Sequence, residues 1–272
     1  MTKKEQRKQQ FLSQLQDFVT SLNSYVSTED GQWTIKGFID IYKNIYTISS
    51  DTKIVSKILE IHLFPQILKF AEQHGYAIVL PEHQNYYPDL SFIDHHDPTL
   101  KFAVDFKTTY RLPHAKDYCN GFTLGSHGEY FTTRTSRKNI QFPYGDYLGH
   151  YCLGIIYSRA VTRDLDDITT YAVDHLHSIV SVIHDFEFFV VEKWQIASDK
   201  SGSGNTANIG SITYIPDILV GNGMFAQLGE AWFDEYWMNY NVITITDETG
   251  KTKKITNLHD FVTYRGGDPH LI

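Results

Sequence analysis

Apolar and polar positions change period several times along the chain, and each change marks an element. From Glu5 to Val26, the residues Phe11, Leu15, Phe18, Leu22 and Val26 recur every three or four positions, which predicts an amphipathic helix. Gln32 to Ile48 is rich in β-branched and aromatic residues with a polar break near Lys43-Asn44, so a hairpin is expected there. Ser49-Ser50-Asp51 offers N-cap oxygens for a helix reaching about His74; Gly75 can close it, and Pro65 is expected to kink it. Tyr76 to Leu80 reads as a strand, followed by a loop from Pro81 to Tyr86.

Next come two short runs separated by polar residues. Ser91 to Ile93 is apolar, Asp94 to Thr99 is a turn, and in Lys101 to Lys107 the residues Phe102, Val104 and Phe106 alternate with Ala103, Asp105 and Lys107. Two strands joined by a hairpin-like turn are expected, with Asp105 and Lys107 on one face by the strand's period of two. Arg111 to Gly121 contains Pro113 and reads as a loop. Tyr144 to Arg159, apolar on most sides through Leu148, Tyr151, Leu153, Ile155 and Ile156, reads as a buried helix. Glu187 to Ile196 is expected to be a strand, Ser201 to Ser211 a Gly/Ser-rich loop, and Glu230 to Tyr240 an amphipathic helix.

Composition narrows the class. The 272 residues are 42% hydrophobic, 21% charged and 14% aromatic, a folded composition with enough chain for one large domain or one domain with a subdomain. Cys119 and Cys152 lack metal-site spacing and are expected to be free thiols in a reducing cytoplasm. The opening MTKKEQRKQQFLSQL has basic residues and no apolar leader core, so the protein is expected to stay where it is made. A formal charge of −8 argues against a protein that coats DNA indiscriminately, yet it is compatible with a basic cleft around a carboxylate site.

The candidate chemistry lies between Gln84 and Tyr110. Asp89, just before the first strand, and Asp105 on the second are two carboxylates near strand ends, a hard oxygen site suited to Mg²⁺. Lys107 can stabilise charge on a phosphate or orient an activated water. The pattern alone leaves two readings open, a phosphodiester-cleaving site or a turn aspartate beside an exposed strand pair, since Pro216-Asp217 and Asp51-Thr52-Lys53 repeat its halves elsewhere. Arg134, Arg137 and Lys138 are either a phosphate-contacting patch or a solvated face. His95, His96, His175 and His177 lack a convergent third ligand and are expected to be exposed loop residues.

Tyr87-Pro88-Asp89 followed by Ala103-Val104-Asp105-Phe106-Lys107-Thr108-Thr109-Tyr110 resembles the PD…D-x-K core of the type II restriction endonucleases of the PD-(D/E)xK superfamily, most closely its EcoRV-like members. The likeness runs patchily from about Ile35 to Tyr240. It implies an α/β fold with a central mixed sheet flanked by helices. It implies an N-terminal helical extension over 1–31 and a single endonuclease domain over 32–272. That domain would comprise a dimerisation hairpin at about 32–48, a catalytic core at about 51–110 and a DNA-recognition loop at 201–211.

The same resemblance assigns roles. Asp89 and Asp105 are expected to hold Mg²⁺, Lys107 to act beside them, and Glu60, within Ile58-Leu59-Glu60, to supply an auxiliary carboxylate. Gln84 and Asn85 match a glutamine-bearing loop along the minor groove and phosphates, with His83 in place of a second glutamine. Thr52, Lys53 and Thr108 are expected to couple phosphate binding to the site. Gly202, Ser203, Gly204, Asn205, Thr206 and Asn208 match a loop that enters the major groove. There Asn205 suits bidentate readout of adenine and Thr206 suits contact with a thymine methyl; Ala207 stands where the relative has threonine.

The implied protein is a homodimer matched to a palindromic double-stranded site. Its target is expected to be GATATC, cut to blunt ends, with a companion DNA methyltransferase acting on the same site. A repair or nicking nuclease of the same superfamily, or a non-catalytic DNA-binding regulator, are the alternatives. The retained loop weighs against the first and the intact Asp89, Asp105 and Lys107 against the second.

Overall fold

Thr2 starts the first helix, α1 (Lys3–Thr20), through a reciprocal cap: its hydroxyl accepts from the Glu5 amide at 3.2 Å and its own amide donates to the Glu5 carboxylate at 2.6 Å. The computed structural model describes residues 1–160, 169–202, 207–246 and 250–272. The helix expected to reach Val26 unbroken is interrupted at Ser21, and a short α2 (Leu22–Val26) follows. Hydroxyls cause the break, since Thr20 and Ser21 turn back onto the carbonyls of Asp17 and Phe18 at 2.6 and 2.8 Å.

The expected hairpin forms from β1 (Gly37–Ile39) and β2 (Asn44–Thr47), antiparallel with Phe38 opposite Tyr46. Its turn is held by Asp40, whose Oδ1 accepts from the amides of Tyr42 and Asn44, each at 2.9 Å, while Lys43 takes a left-handed φ of 68°. In α3 (Thr52–His74) both sequence signals act as expected. Asp51 accepts from the amides of Lys53 and Ile54 at 2.9 and 3.2 Å, and Gly75 closes the helix at φ 74°. Pro65 lies inside this helix.

The strands β3 (Tyr76–Val79), β4 (Leu90–Asp94), β5 (Lys101–Leu112), β6 (Ala115–Cys119) and β7 (Thr123–Ser126) follow. Here the expected loop from Arg111 to Gly121 is corrected: β5 continues to Leu112, and β6 returns antiparallel with Arg111 opposite Cys119. Pro113 sits in the turn between them, where it removes no ladder hydrogen bond.

After α4 (Glu129–Thr132), the stretch expected to be a helix from Tyr144 to Arg159 is instead the 13-residue strand β8 (Tyr147–Arg159). Its residues are buried on both faces from Gly149 to Tyr157, so no two-residue alternation shows, and a continuous apolar run cannot be told from a buried helix by period. Gly154 belongs to this strand because the Phe189 ring lies against its Cα, where a Cβ would come within 2.0 Å.

The chain continues through β9 (Thr170–Ala172), β10 (Ile183–Glu192), β11 (Ala197–Ser201), β12 (Asn208–Ser211), α5 (Ile215–Val220), α6 (Glu230–Asn239), β13 (Thr244–Thr246), β14 (Thr252–Lys254) and α7 (Leu258–Tyr264). The strand expected over Glu187 to Ile196 therefore starts earlier, and Lys193–Ile196 forms a single 3₁₀ turn. The main sheet has the order β10-β8-β5-β4-β3 with β6 on β5; smaller sheets are β1-β2-β9, β11-β12-β7 and β13-β14. This is the α/β class, with a central mixed sheet and flanking helices. Among the described residues no helix is long and apolar enough to cross a membrane.

Two compact units divide the chain. The first comprises Met1–Ala77, Phe106–Asn120 and Leu153–Val190. Its core joins α1 to α3: Phe11 meets Phe70 and Tyr76 edge-on at 6.4 and 5.1 Å, and Phe18 meets Phe70 at 5.0 Å. Residues before 32 thus contribute core side chains to this unit. The second unit comprises Ile78–Asp105, Gly121–Cys152 and Val191–Ile272, with Phe131, Phe225, Phe233, Tyr236 and Trp237 fully buried in it.

Candidate active site

The β4–β5 hairpin places the two aspartates. Its turn is built by Asp94, which is buried and accepts from the amides of His96 and Asp97 at 2.8 and 3.1 Å, and by the Leu100 amide bonding Asp97 O at 2.9 Å. That turn fixes an antiparallel register with Leu90 opposite Val104 and Phe92 opposite Phe102. Continued by one residue, the register sets Asp89 against Asp105, and the Asp89 amide lies 3.4 Å from Asp105 Oδ1. Directly opposed residues project to the same face of an antiparallel pair, so the two carboxylates are neighbours.

Asp105 is 7% exposed and Asp89 is half-buried. A buried carboxylate is tolerated where a cation or hydrogen-bond donors compensate it, so this pair suits a cation. Lys107, half-buried, stands two residues beyond Asp105 on β5, and its ammonium donates to Phe106 O at 3.2 Å. Thr108, one residue further, projects from the opposite face by alternation. Ser91 bonds the Tyr147 hydroxyl at 2.7 Å, which anchors β4 beneath the aspartates, and burial pushes the Tyr147 phenol well above its ordinary range.

The approach to Asp89 is also held tightly. Tyr87 is buried; its amide donates to Asn139 O at 3.1 Å, its carbonyl accepts from the Gln141 amide at 2.8 Å, and its hydroxyl meets His150 Nδ1 at 3.0 Å. Burial raises the Tyr87 phenol far above its usual value, with Tyr144 and Asp105 adding to the effect. Gln84 and Asn85 precede it in an exposed loop.

Other expected residues are distributed as follows. Glu60 lies half-buried on α3 and pairs with Lys57 at 2.5 Å. Thr52 and Lys53 open α3, just after the Asp51 cap. Among the described residues no group of three or more His, Cys, Asp and Glu side chains is arranged to hold a metal ion. His95, His96, His175 and His177 are exposed, as expected.

The three basic residues at 134–138 part company. Arg134, half-buried, is ion-paired with Asp234 at 2.6 Å and lies over the Tyr144 and Phe131 rings at 4.2 and 4.5 Å, and Lys138 pairs with Glu129 at 2.9 Å. Desolvation raises the Asp234 carboxyl despite that guanidinium.

The Gly/Ser stretch is framed by strands. Ser201 closes β11, Asn208 opens β12, and the Gly202 amide donates to Asn208 O at 2.8 Å. Gly210 permits the close approach of Lys200 O, which a Cβ would meet at 2.6 Å. The His127 amide donates to Ala207 O at 2.8 Å, and Ser201 Oγ donates to the Tyr240 hydroxyl at 3.2 Å. Ser203, Gly204, Asn205 and Thr206 lie outside the described residues. Sequence reasoning missed Tyr144, His150 and Lys193, which surround Tyr87; no periodicity or motif marks them.

Two opposed carboxylates, one of them on the strand that also carries Lys107, are the residue types that metal-assisted hydrolysis of a phosphodiester uses. Comparison with known proteins agrees with that class. Residues 29–266 match the family described as restriction endonuclease EcoRV. The type II restriction enzyme EcoRV of Escherichia coli is 38% identical over 213 residues, covering 78% of this chain and 84% of that protein. The solved NlaIV restriction endonuclease aligns with a TM-score of 0.41 at 12% identity, over 83% of this chain and 85% of its own. The chain belongs to the EcoRV restriction endonuclease family and is a type II site-specific deoxyribonuclease.

Proposed function

We propose that this enzyme is a Mg²⁺-dependent homodimer that cuts both strands of DNA at a short palindrome, GATATC, leaving blunt ends with 5′-phosphates. The observation that carries the reading is the register of β4 and β5, which sets Asp89 against Asp105 with Lys107 two residues beyond. Asp89 and Asp105 would hold the cation, an all-oxygen donor set that suits Mg²⁺. Bound there, the ion supplies Lewis-acid charge stabilisation and lowers the pKa of a coordinated water.

The chain's own residues do the rest. Lys107 places an ammonium where charge develops on the phosphoryl oxygens, an interaction stronger in the transition state than in the ground state. Glu60, held by Lys57, acts as an auxiliary carboxylate. Thr52, Lys53, Thr108, Gln84 and Asn85 position the phosphate backbone, and Gly202, Ser203, Gly204, Asn205, Thr206 and Asn208 read bases from the major groove. The endonuclease domain is assigned to 32–272, with the hairpin at about 32–48 serving dimerisation. We place the enzyme in the cytoplasm with its DNA, beside a methyltransferase that protects the host's copies of the same site.

The test is digestion of a plasmid of known sequence with Mg²⁺ or with EDTA, followed by sequencing of the ends. Discrete blunt cuts within GATATC, abolished by EDTA, are expected. Discrete cuts elsewhere would leave the nuclease and remove the target assignment, and cutting in EDTA would remove the metal.

A further inference from the structure

Lys193 follows β10 directly and is only 2% exposed. An ammonium buried to that degree needs compensating partners. Its Nζ lies 5.0 Å from the centroid of the Tyr87 ring, 5.4 Å from Phe131 and 5.6 Å from Tyr144. These distances are within the range at which ring faces attract a cation, and desolvation strengthens the attraction. Tyr130 completes the box, stacked on Tyr87 at 5.6 Å with 7° between the planes. Backbone also comes against the ammonium at Gly125, which has φ +95°; a Cβ there would lie 3.3 Å from Lys193 Nζ and 3.2 Å from the Tyr130 hydroxyl. The backbone conformation therefore favours glycine at this position, and a Cβ would crowd the ammonium.

The cage grips the residue that leads into the catalytic pair. Tyr87 is already fixed by its backbone bonds to Asn139 and Gln141, and Lys193 fixes its ring. Pro88 then removes freedom at φ, so little slack remains before Asp89. On its other side, Lys193 leads through one 3₁₀ turn into β11, the strand that enters the 201–211 stretch.

We propose that Lys193 is a positioning residue: its caged ammonium sets the alignment of the Asp89 carboxylate with Asp105 and ties that alignment to the strand carrying the recognition segment. The inference rests on the proposed reading of Asp89 as a cation-holding residue.

The experiment uses the full chain with K193M, which keeps length and removes charge. It measures thermal midpoint, DNA binding without metal, Mg²⁺ binding by calorimetry and the Mg²⁺ dependence of single-turnover cleavage. Expected for K193M is metal-free DNA binding like the wild type, with Mg²⁺ half-saturation raised by about ten- to a hundredfold in both metal readouts, as for loss of a group that orients a metal ligand. K193R, whose planar guanidinium cannot occupy the same point, is expected to shift half-saturation less, and it carries the test if K193M does not accumulate as folded protein. A folded Lys193 variant with a lowered thermal midpoint and wild-type Mg²⁺ half-saturation would show a merely structural lysine and overturn the proposal. D89N separates the two levels: wild-type Mg²⁺ dependence in D89N overturns the reading of the site, whereas its loss in D89N alongside an unchanged K193M overturns only the role of Lys193.

Discussion

Asp105 combines deep burial with a charge, two demands that a cation or hydrogen-bond donors must reconcile. At 7% exposure it sits among residues of β5 that are wholly enclosed, Phe102, Ala103 and Val104. Conversion to asparagine keeps its shape and removes its charge, so the strand has no reason to move. D105N is expected to lower Mg²⁺-dependent cleavage by more than about a hundredfold, beyond the loss typical of an indirect contact to a metal ligand. Its thermal midpoint should stay close to that of the wild type, since asparagine keeps the side-chain shape and an oxygen that can accept from the Asp89 amide. Cleavage kinetics and a melting curve on the same preparation check both halves. A D105N enzyme of undiminished activity would remove Asp105 from the site.

At the scale of elements, legibility followed locality. The α3 cap, its glycine stop and the β4–β5 hairpin were readable because each depends on side chains within a few residues: Asp51 on the next turn, Gly75 on its own φ, Asp94 on the amides of its turn. β8 was not readable, because burial on both faces erases the alternation that marks a strand, and what decides it, the fit of Gly154 under Phe189, comes from residues far apart in sequence. Asp89, Asp105 and Lys107 could be picked out by motif, whereas the cage of Tyr87, Tyr144 and Lys193 exists only once β8 and the chain after β10 are placed. The hairpin β1–β2 was readable as an element, while the charge that holds its turn shows only in the structure. The Asn44 amide, with the Asn44 side chain, the Tyr46 hydroxyl and the Tyr42 amide, lowers the Asp40 carboxyl below its ordinary value. A depressed folded-state pKa gives stabilisation that is full above the unfolded value and lost as pH falls through the folded one. Amide exchange in Tyr42 to Asn44 should therefore speed up, after correction for intrinsic rates, once the pH drops below the carboxylate range. D40N should show no such pH-linked loosening. Equal pH dependence in both proteins would mean that the Asp40 charge does not hold the turn.

For the molecule as a whole, the question is how a chain with a net charge of −8 acts on a polyanion. Long-range attraction by total charge is absent, so productive binding depends on local cations, and the proposed engagement of symmetric half-sites by two copies would add to it. The surface that could join two copies is the β1–β2 hairpin, where Phe38, Ile39, Ile41, Tyr42 and Tyr46 are exposed, Ile41 and Tyr42 by 88% and 78%. Phe38 and Ile39 project to opposite faces of their strand, so the turn residues Ile41 and Tyr42 together with one of those faces would supply part of the about 800 Å² per partner that a stable interface buries. Apolar patches of this kind are rarely left in water. The wild-type chain is therefore expected to sediment at about twice 31.4 kDa, and I41D/Y42D as a monomer. Because both side chains already face solvent in the single chain, the double variant should keep its fold but lose the concentration-dependent part of its thermal midpoint together with concerted cleavage, so that any residual activity yields nicked rather than linear plasmid. Sedimentation velocity beside a supercoiled-plasmid time course reads both. A dimeric I41D/Y42D that still linearises plasmid in one step would move the subunit interface away from the hairpin.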